Sequence, residues 1–458
     1  MFRFYKIIWT LSLVIPSFLI AKVDSLDLLF SNTKSYTITF YQENWDNQLK
    51  NNYAAGAKEY IPARFSDGNI TLDSVGVRYK GNTSYLSTLF KYKKPLKIKF
   101  TKFKAKQYYY GQSTLNFSNN HDDPSCIREI LAYEIYRKYM PASLASPVNI
   151  KINNTEYDKS IDLGLYTQVQ QVDKKFLNLW YNEDEQNLFK AGNAGFSLLY
   201  YDDNWESYAD KILLKTQRDK NDWTNFLSFL ENISEPAGNC SELFTYINEE
   251  NLAWYFAITN VIGNFDSYLG SGRNYYLYQL GEKGINHIIP WDLNLAWGTY
   301  SNNWNVYNHS IFNYLEERPL FNKVLDCANI RKLYVQNIET LLNEDLNPTV
   351  IEAKIDSLAN LVRPEIAKDE NSLFSLEDFE TNLQDKLQTS TGSIPGLKEF
   401  ITQRSDFIRS ELEAYDHEDF VSILNFSNRY FNRNFRQGKM GKIVHNHKIF
   451  NVLGQSIE

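Results

Sequence analysis

Three polar residues on apolar ground carry the strongest chemical signal in the sequence. Asp266 closes the run Asn260-Val-Ile-Gly-Asn-Phe-Asp266, Asn274 sits in Arg273-Asn-Tyr-Tyr-Leu-Tyr278, and Asp292 follows Ile289-Pro-Trp and precedes Leu-Asn294-Leu-Ala-Trp-Gly298. The spacing predicts that Asp266 ends an apolar helix, that Asn274 opens one strand of a hairpin and that Asp292 follows the other, which brings the three groups together. Two carboxylates and an amide on adjacent loops suit Mg²⁺, a hard cation that prefers oxygen ligands and shares them with phosphates. The alternative is that Asp266 caps a helix and Asp292 caps a turn.

Lys93, Lys94, Lys97 and Lys99 form a second feature. In the strand Leu96-Lys-Ile-Lys-Phe100, period-two alternation puts Lys97 and Lys99 on one face and the apolar residues on the other. That face is either solvated or turns one lysine into a cleft, where it holds phosphate oxygens. Glu129 and Glu134 on the next helix are candidate partners for such a lysine, as a strand lysine and a helix glutamate pair in protein kinases. No Gly-rich phosphate loop of the kinase or P-loop kind accompanies them, and Gly81-Asn-Thr-Ser84 is the nearest Gly-containing turn. The six histidines form no His-Glu-x-x-His pair, and no Gly-x-Ser-x-Gly elbow is present. A glycosidase pair of carboxylates stays open, since sequence does not give their separation.

The elements that must position these groups follow from periodicity. Residues 26–118 read as β-rich, with alternation at Ser35–Tyr41, Val75–Arg78 and Leu96–Phe100. From Asp123-Pro-Ser125 the period becomes helical and runs to about Tyr139–Pro141. Val148–Ile152 and Leu163–Val172 read as further strands. Beyond Lys174 the chain reads as mostly helical, at Asn221–Ile233, Leu252–Val261, Pro319–Asn343, Thr349–Arg363, Ser375–Gln388 and Leu397–Ala414. The expectation is a two-lobed α+β protein, with a cleft suited to a nucleotide.

Composition bounds the function class. The 458 residues are 43% hydrophobic and 22% charged, an ordinary globular balance. A net charge of −7 argues against binding nucleic acid by phosphate neutralisation. Aromatics at 15% fit either core packing or a stacking surface. Cys126, Cys240 and Cys327 lack metal spacing and allow at most one disulfide, with one thiol left over.

The two ends differ from the body. Arg3 and Lys6 precede the mostly apolar run Ile7–Ala21, too short to span a membrane, which predicts a secretory signal peptide over 1–21 and no stable membrane span. Residues 416–458 read as a β-rich appendage. Its end, Lys448-Ile-Phe-Asn-Val-Leu-Gly-Gln-Ser456, resembles a strand of the C-terminal sorting domains of type IX secretion.

An ordered set of segments resembles the CotH kinase family, secreted or surface proteins with an atypical protein-kinase-like fold. They include Val77-Arg-Tyr-Lys-Gly-Asn-Thr-Ser84, Lys93-Lys-Pro-Leu-Lys-Ile-Lys-Phe100, Asp123-Pro-Ser-Cys-Ile-Arg-Glu129 and Gly164-Leu-Tyr166. Leu188-Phe-Lys190, Gly263-Asn-Phe-Asp266, Arg273–Tyr278 and Ile289–Gly298 continue the match. The resemblance implies a β-rich N-lobe over 22–125 and a helix-rich C-lobe over 126–415. It also implies ATP-dependent phosphorylation of protein Ser/Thr hydroxyls with Mg²⁺ or Mn²⁺. Asp266 is then the counterpart of the catalytic-loop aspartate, Asp292 a metal ligand and Asn274 a second one. Lys97 or Lys99 becomes a phosphate contact, with Arg128 and Glu134 on the helix that takes the place of the kinase glutamate helix. Where the family often has Glu after Gly-x-Tyr, this chain has Gln168, Gln170 and Gln171. The rival readings are a catalytically silent surface adhesion or carbohydrate-associated protein on the same fold and, further off, a glycoside hydrolase.

Overall fold

The computed structural model describes residues 26–31, 33–154, 160–235, 240–390 and 392–415, and the backbone of three short strands at 443–445, 448–450 and 456–457. The expected signal peptide lies outside the described residues, as does most of the C-terminal appendage. Its three strands pair as an antiparallel sheet in chain order. The fold is mixed α+β, and no helix among the described residues is long and apolar enough to cross a membrane.

The chain forms two compact units. One takes the chain up to Arg137, Pro141–Asp184 and Lys354–Leu383; the other takes Lys138–Met140, Glu185–Ala353 and the chain from Gln384. The division therefore does not follow the expected boundary at residue 125. Two later strands belong with the early ones because they complete one sheet, and a late helical segment is tied to it through Glu365 and Asp369.

That sheet is a closed seven-stranded barrel in the order β1 (Lys34–Phe40), β2 (Ile61–Ser66), β3 (Thr71–Tyr79), β4 (Leu96–Lys99), β5 (Thr114–Ser118), β7 (Ser160–Gln170) and β6 (Ala145–Asn154). All neighbours are antiparallel except β1 and β6, whose parallel register runs from Lys34 opposite Val148 to Phe40 opposite Asn154. Closure leaves no edge strand. Alternation turns Tyr36, Ile38 and Phe40 of β1 inward. Tyr36, Phe65, Phe100, Tyr109 and Phe117 pack there, with the Tyr36–Phe65 and Phe65–Tyr109 centroids both 4.9 Å apart. These aromatics are core, where each ring removes a large apolar area from water and its hydroxyl needs a partner. Tyr36 donates to Gln168 Oε1 at 2.9 Å and Tyr109 to Asp67 Oδ2 at 2.6 Å.

Helix α1 (Trp45–Ala54) was not anticipated from the alternation around it; it buries Trp45 and Leu49 and stacks Trp45 on Phe40. Helix α2 (Arg128–Tyr139) starts later than Asp123. Cys126 adopts φ +55°, off the helical path, and the Asp123 carboxylate accepts from the Arg128 amide at 3.0 Å.

The second unit centres on α3 (Glu249–Val261), buried nearly all round, and on a four-stranded sheet in the order β11 (Ile285–Pro290), β10 (Tyr275–Leu280), β8 (Leu188–Ala191), β9 (Ile212–Leu214). The strands β8 and β9 fall where a helical stretch was expected. The run Pro319–Asn343 is two helices, α4 (Pro319–Asp326) and α5 (Ala328–Asn343), because Cys327 between them is extended and bonded to Cys240. Cys126 is the thiol left over, buried in the first unit.

Candidate active site

The three polar groups of the second unit are brought together by a helix end and a hairpin. Asn248 caps α3, accepting from the Asn251 amide at 2.8 Å. The Asn251 side chain then clamps β11, accepting from the Ile288 amide at 2.8 Å and donating to its carbonyl. Helix α3 stops at Val261, so Asp266 stands in the turn beyond it rather than at its last residue. Two backbone bonds tie that turn to the segment after β11: the Trp297 amide to Ile262 O at 2.7 Å and the Gly298 amide to Gly263 O at 3.3 Å. Gly263 and Gly298 both have positive φ, and a Cβ on either would stand 2.6 Å from the Phe400 ring. Glycine is what lets the two loops close on each other.

Across the hairpin Tyr275 faces Pro290, and the Trp291 amide donates to Asn274 O at 3.1 Å. Asn274 and Asp292 are therefore adjacent strand ends, both at positive φ. Asn274 Nδ2 donates to Asp266 O at 2.8 Å and to Asp266 Oδ2 at 2.9 Å, so its amide oxygen is not the atom that holds Asp266. Asp266 Oδ1 is buried and accepts no hydrogen bond of normal geometry. Burial pushes the Asp266 carboxyl above its ordinary range. Ser271 offsets this, the Asp292 charge adds to it, and Arg273 and Asn274 offset it further. A buried oxygen without a donor costs free energy unless something arrives to satisfy it.

Among the described residues no group of three or more His, Cys, Asp or Glu side chains is arranged to hold a metal ion. The pair of aspartates with one amide is a smaller oxygen set, and it fits Mg²⁺ or Mn²⁺, which complete their shell with phosphate oxygens and water.

In the first unit, Lys97 and Lys99 do share the outer face of β4, with Leu96 and Ile98 buried behind them. Lys97 Nζ donates to Gln171 Oε1 at 2.5 Å, and its charge also lowers Asp173, whose carboxyl is raised above the ordinary range chiefly by burial. Asp173 caps the helix Lys174–Tyr181. The glutamines noted in the sequence thus have distinct places. Gln168 lies inside the barrel on Tyr36, Leu29 O and Ser146, Gln170 accepts from the Leu144 amide, and Gln171 receives Lys97. Lys93 forms a buried ion pair with Asp369, and Lys94 donates to Lys91 O and lies over the Tyr79 ring.

The helix residues are engaged elsewhere. Arg128 is fully buried and paired with Asp123 at 3.3 Å. Glu134, considered a partner for a strand lysine, pairs instead with Lys354 at 2.8 Å. A cavity of about 240 Å³ in the first unit, lined by Asn149, Lys151, Asp162, Glu365 and Asp369 among others, contains none of the predicted site residues.

One neighbour, the last residue of the matched segment Leu188-Phe-Lys190, was given no role from the sequence. Lys190 on β8 stands opposite Tyr276 and lies 5.2 Å from that ring and 5.1 Å from the ring of Trp291, the residue before Asp292. Only the pairing of β8 with β10 places it there, and no local pattern signals that pairing.

A family model described as CotH kinase protein matches residues 77–408. The chain belongs to the CotH kinase family. Inner spore coat protein H of Bacillus subtilis (strain 168) is 24% identical over 280 residues, covering 59% of this chain and 73% of that protein. Asp266, Asn274, Asp292, the β4 lysines, Arg128 and Glu134 fall inside the matched span.

Proposed function

We propose that this chain is a phosphotransferase of the CotH type, moving the γ-phosphoryl group of ATP to Ser or Thr hydroxyls of a protein. The observation that supports it most is the meeting of Asp266, Asn274 and Asp292 on two loops stitched backbone to backbone, with Asp266 Oδ1 buried and accepting no hydrogen bond of normal geometry.

Phosphoryl transfer through a loose transition state asks the protein mainly to position groups and neutralise charge. In this reading Asp292 and the amide oxygen of Asn274 hold Mg²⁺ or Mn²⁺. That cation, when bound, would neutralise charge on the phosphates. Asp266 orients the acceptor hydroxyl and takes its proton, a role that suits a carboxyl already raised by burial. Asn274 fixes the Asp266 side chain through Oδ2, which leaves Oδ1 for the hydroxyl. Lys97 or Lys99 supplies a phosphate contact, Arg128 anchors the start of α2, and Glu134 steadies that helix through Lys354. A kinase-like fold, secretion and a place at the cell surface complete the proposal. The spore-coat name of the Bacillus subtilis relative is in keeping with a surface location.

The test is phosphorylation of a generic Ser/Thr protein substrate with radiolabelled ATP and Mg²⁺ or Mn²⁺. Wild type transfers label; Asp266→Ala and Asp292→Ala do not. Undiminished transfer in either variant sinks the assignment. A silent binding protein would show neither transfer nor nucleotide-dependent stabilisation, whereas ATP at 100 times its Kd adds about 2.7 kcal/mol.

A further inference from the structure

The turn that carries Asp266 is folded on itself. The Ser271 amide donates to Phe265 O at 3.1 Å, and the Gly272 and Arg273 amides both donate to Ser267 O. Gly270 makes this possible, since a Cβ there would stand 2.1 Å from Phe265 O. The turn's own bonds leave the carbonyls of Leu269 and Gly270 facing away from it, and one side chain takes both.

Arg318, at the residue before α4 and 8% exposed, donates Nε to Leu269 O at 3.0 Å and Nη2 to Gly270 O. Its Nη1 donates to Ser197 Oγ at 2.8 Å and to Glu317 O at 2.7 Å. The guanidinium lies over the Tyr268 ring, whose hydroxyl donates to Ser197 O and accepts from the Leu320 amide. Arg318 touches neither aspartate. We infer that Arg318 is a positioning residue for phosphoryl transfer: its fork fixes the Leu269–Gly270 edge of the turn and thereby the placement of Asp266 against Asn274.

The inference rests on the phosphotransferase reading for its kinetic consequence and on geometry alone for its structural one. A planar guanidinium can bind two successive carbonyls from one side, while an ammonium cannot reproduce the fork. Displacement of a catalytic group by about 1 Å costs on the order of 10²-fold in rate without equal loss of binding.

The experiment compares wild type, Arg318→Gln, Arg318→Lys and Ser197→Ala, full length, with two readouts. The first is steady-state transfer: kcat falls roughly 10–100-fold in Arg318→Gln with KM for ATP within about twofold, Arg318→Lys is intermediate, and guanidinium chloride at millimolar concentration partly restores Arg318→Gln. The second is amide hydrogen exchange, which does not require activity: Ser271, Gly272 and Arg273 exchange at least about tenfold faster in Arg318→Gln while α3 is unchanged. Should wild type transfer no label, the phosphotransferase reading fails while the exchange result still decides the clamp. Unchanged kcat together with unchanged exchange in a folded Arg318→Gln overturns the inference. So does a fall in kcat matched by faster exchange throughout α3, which would mark a general loss of structure. If Arg318→Gln does not fold, Ser197→Ala, which removes one of the fork's side acceptors only, gives the same two readouts at smaller amplitude.

Discussion

Asp266 Oδ1 and Lys93 Nζ are both taken out of water, one in each unit, yet the fold treats them in opposite ways. Lys93 is matched: Asp369 receives it, and the same carboxylate accepts from the Leu165 amide at 2.9 Å and the Asn371 amide at 3.0 Å. Gly164 exists to admit it, for a Cβ there would fall 1.9 Å from the Asp369 carboxyl carbon. Asp266 has one oxygen held by Asn274, while Oδ1 accepts no hydrogen bond of normal geometry; burial raises the carboxyl, and the nearby Ser271 hydroxyl and Arg273 offset this only in part. A charge fully matched inside the protein serves the fold, and one left half matched at a loop crossing is available to a substrate. By this measure the lysine cluster divides as well, with Lys93 structural, Lys97 held on Gln171, and Lys99 on the same face with no ion pair among the described residues.

The sharpest way to break the comparison is by activity. Asp292→Ala is expected to lower phosphoryl transfer by about 10²–10³-fold or more, as loss of one electrostatic contact to developing charge does. Lys93→Met should leave kcat in the folded fraction within a fewfold. Equal losses in the two would mean that the matched pair also serves catalysis.

Stability should show the reverse. Lys93→Met strands a buried carboxylate, and breaking such a pair costs about 3–5 kcal/mol, read from urea unfolding of the first unit. Replacing both partners, Lys93→Met with Asp369→Asn, should recover part of this, since no lone charge remains. It should not recover all of it, because an amide accepts from Leu165 and Asn371 less well than a carboxylate. Asp266→Asn, by contrast, should be neutral or stabilising, since it removes a raised, half-matched carboxylate.

The disulfide separates the units further. Cys240 and Cys327 lie 87 residues apart within the second unit, and a cross-link over such a loop adds about 2–4 kcal/mol. Reduction should lower the melting temperature of the second unit and leave the first, which holds only the buried thiol of Cys126, unchanged.

How much of this was legible follows the range of the interactions. The alternation in β4 and the hairpin that carries Asn274 and Asp292 are local patterns, and both are present. Asp266 was placed at a helix end, and it stands a turn further on because the tight Gly263 turn precedes it. The parallel pairing of β1 with β6 joins segments more than a hundred residues apart, so nothing in either strand announces a barrel. Lys93 finds its partner 276 residues away, which left its burial out of reach of any spacing argument. Helix α1 was hidden because it buries only Trp45 and Leu49, too few positions to write a helical period over the β-rich background.

The smallest effect tests the boundary inside the lysine strand. Asp173 is raised above the ordinary carboxylate range chiefly by burial, with Lys97 among the groups that pull it down. A carboxyl whose folded pKa exceeds its unfolded value favours folding while protonated and loses that contribution as pH rises through the folded pKa. Lys97→Met removes the cation, moves Asp173 further up and leaves Gln171 Oε1 with the longer bond from Asn116 Nδ2 at 3.3 Å. Its destabilisation should therefore have a constant part, about 1 kcal/mol from the lost Gln171 bond, and a further part that grows as pH rises through the Asp173 titration, where the carboxylate loses its nearby cation. Lys99→Met has no such acid to expose, and its effect should be within about 0.5 kcal/mol and flat across the same range. A pH-independent Lys97→Met would mean that the lysine is not coupled to Asp173. Both β4 lysines would then stand on equal footing as phosphate contacts, and transfer kinetics of the two variants would have to choose between them.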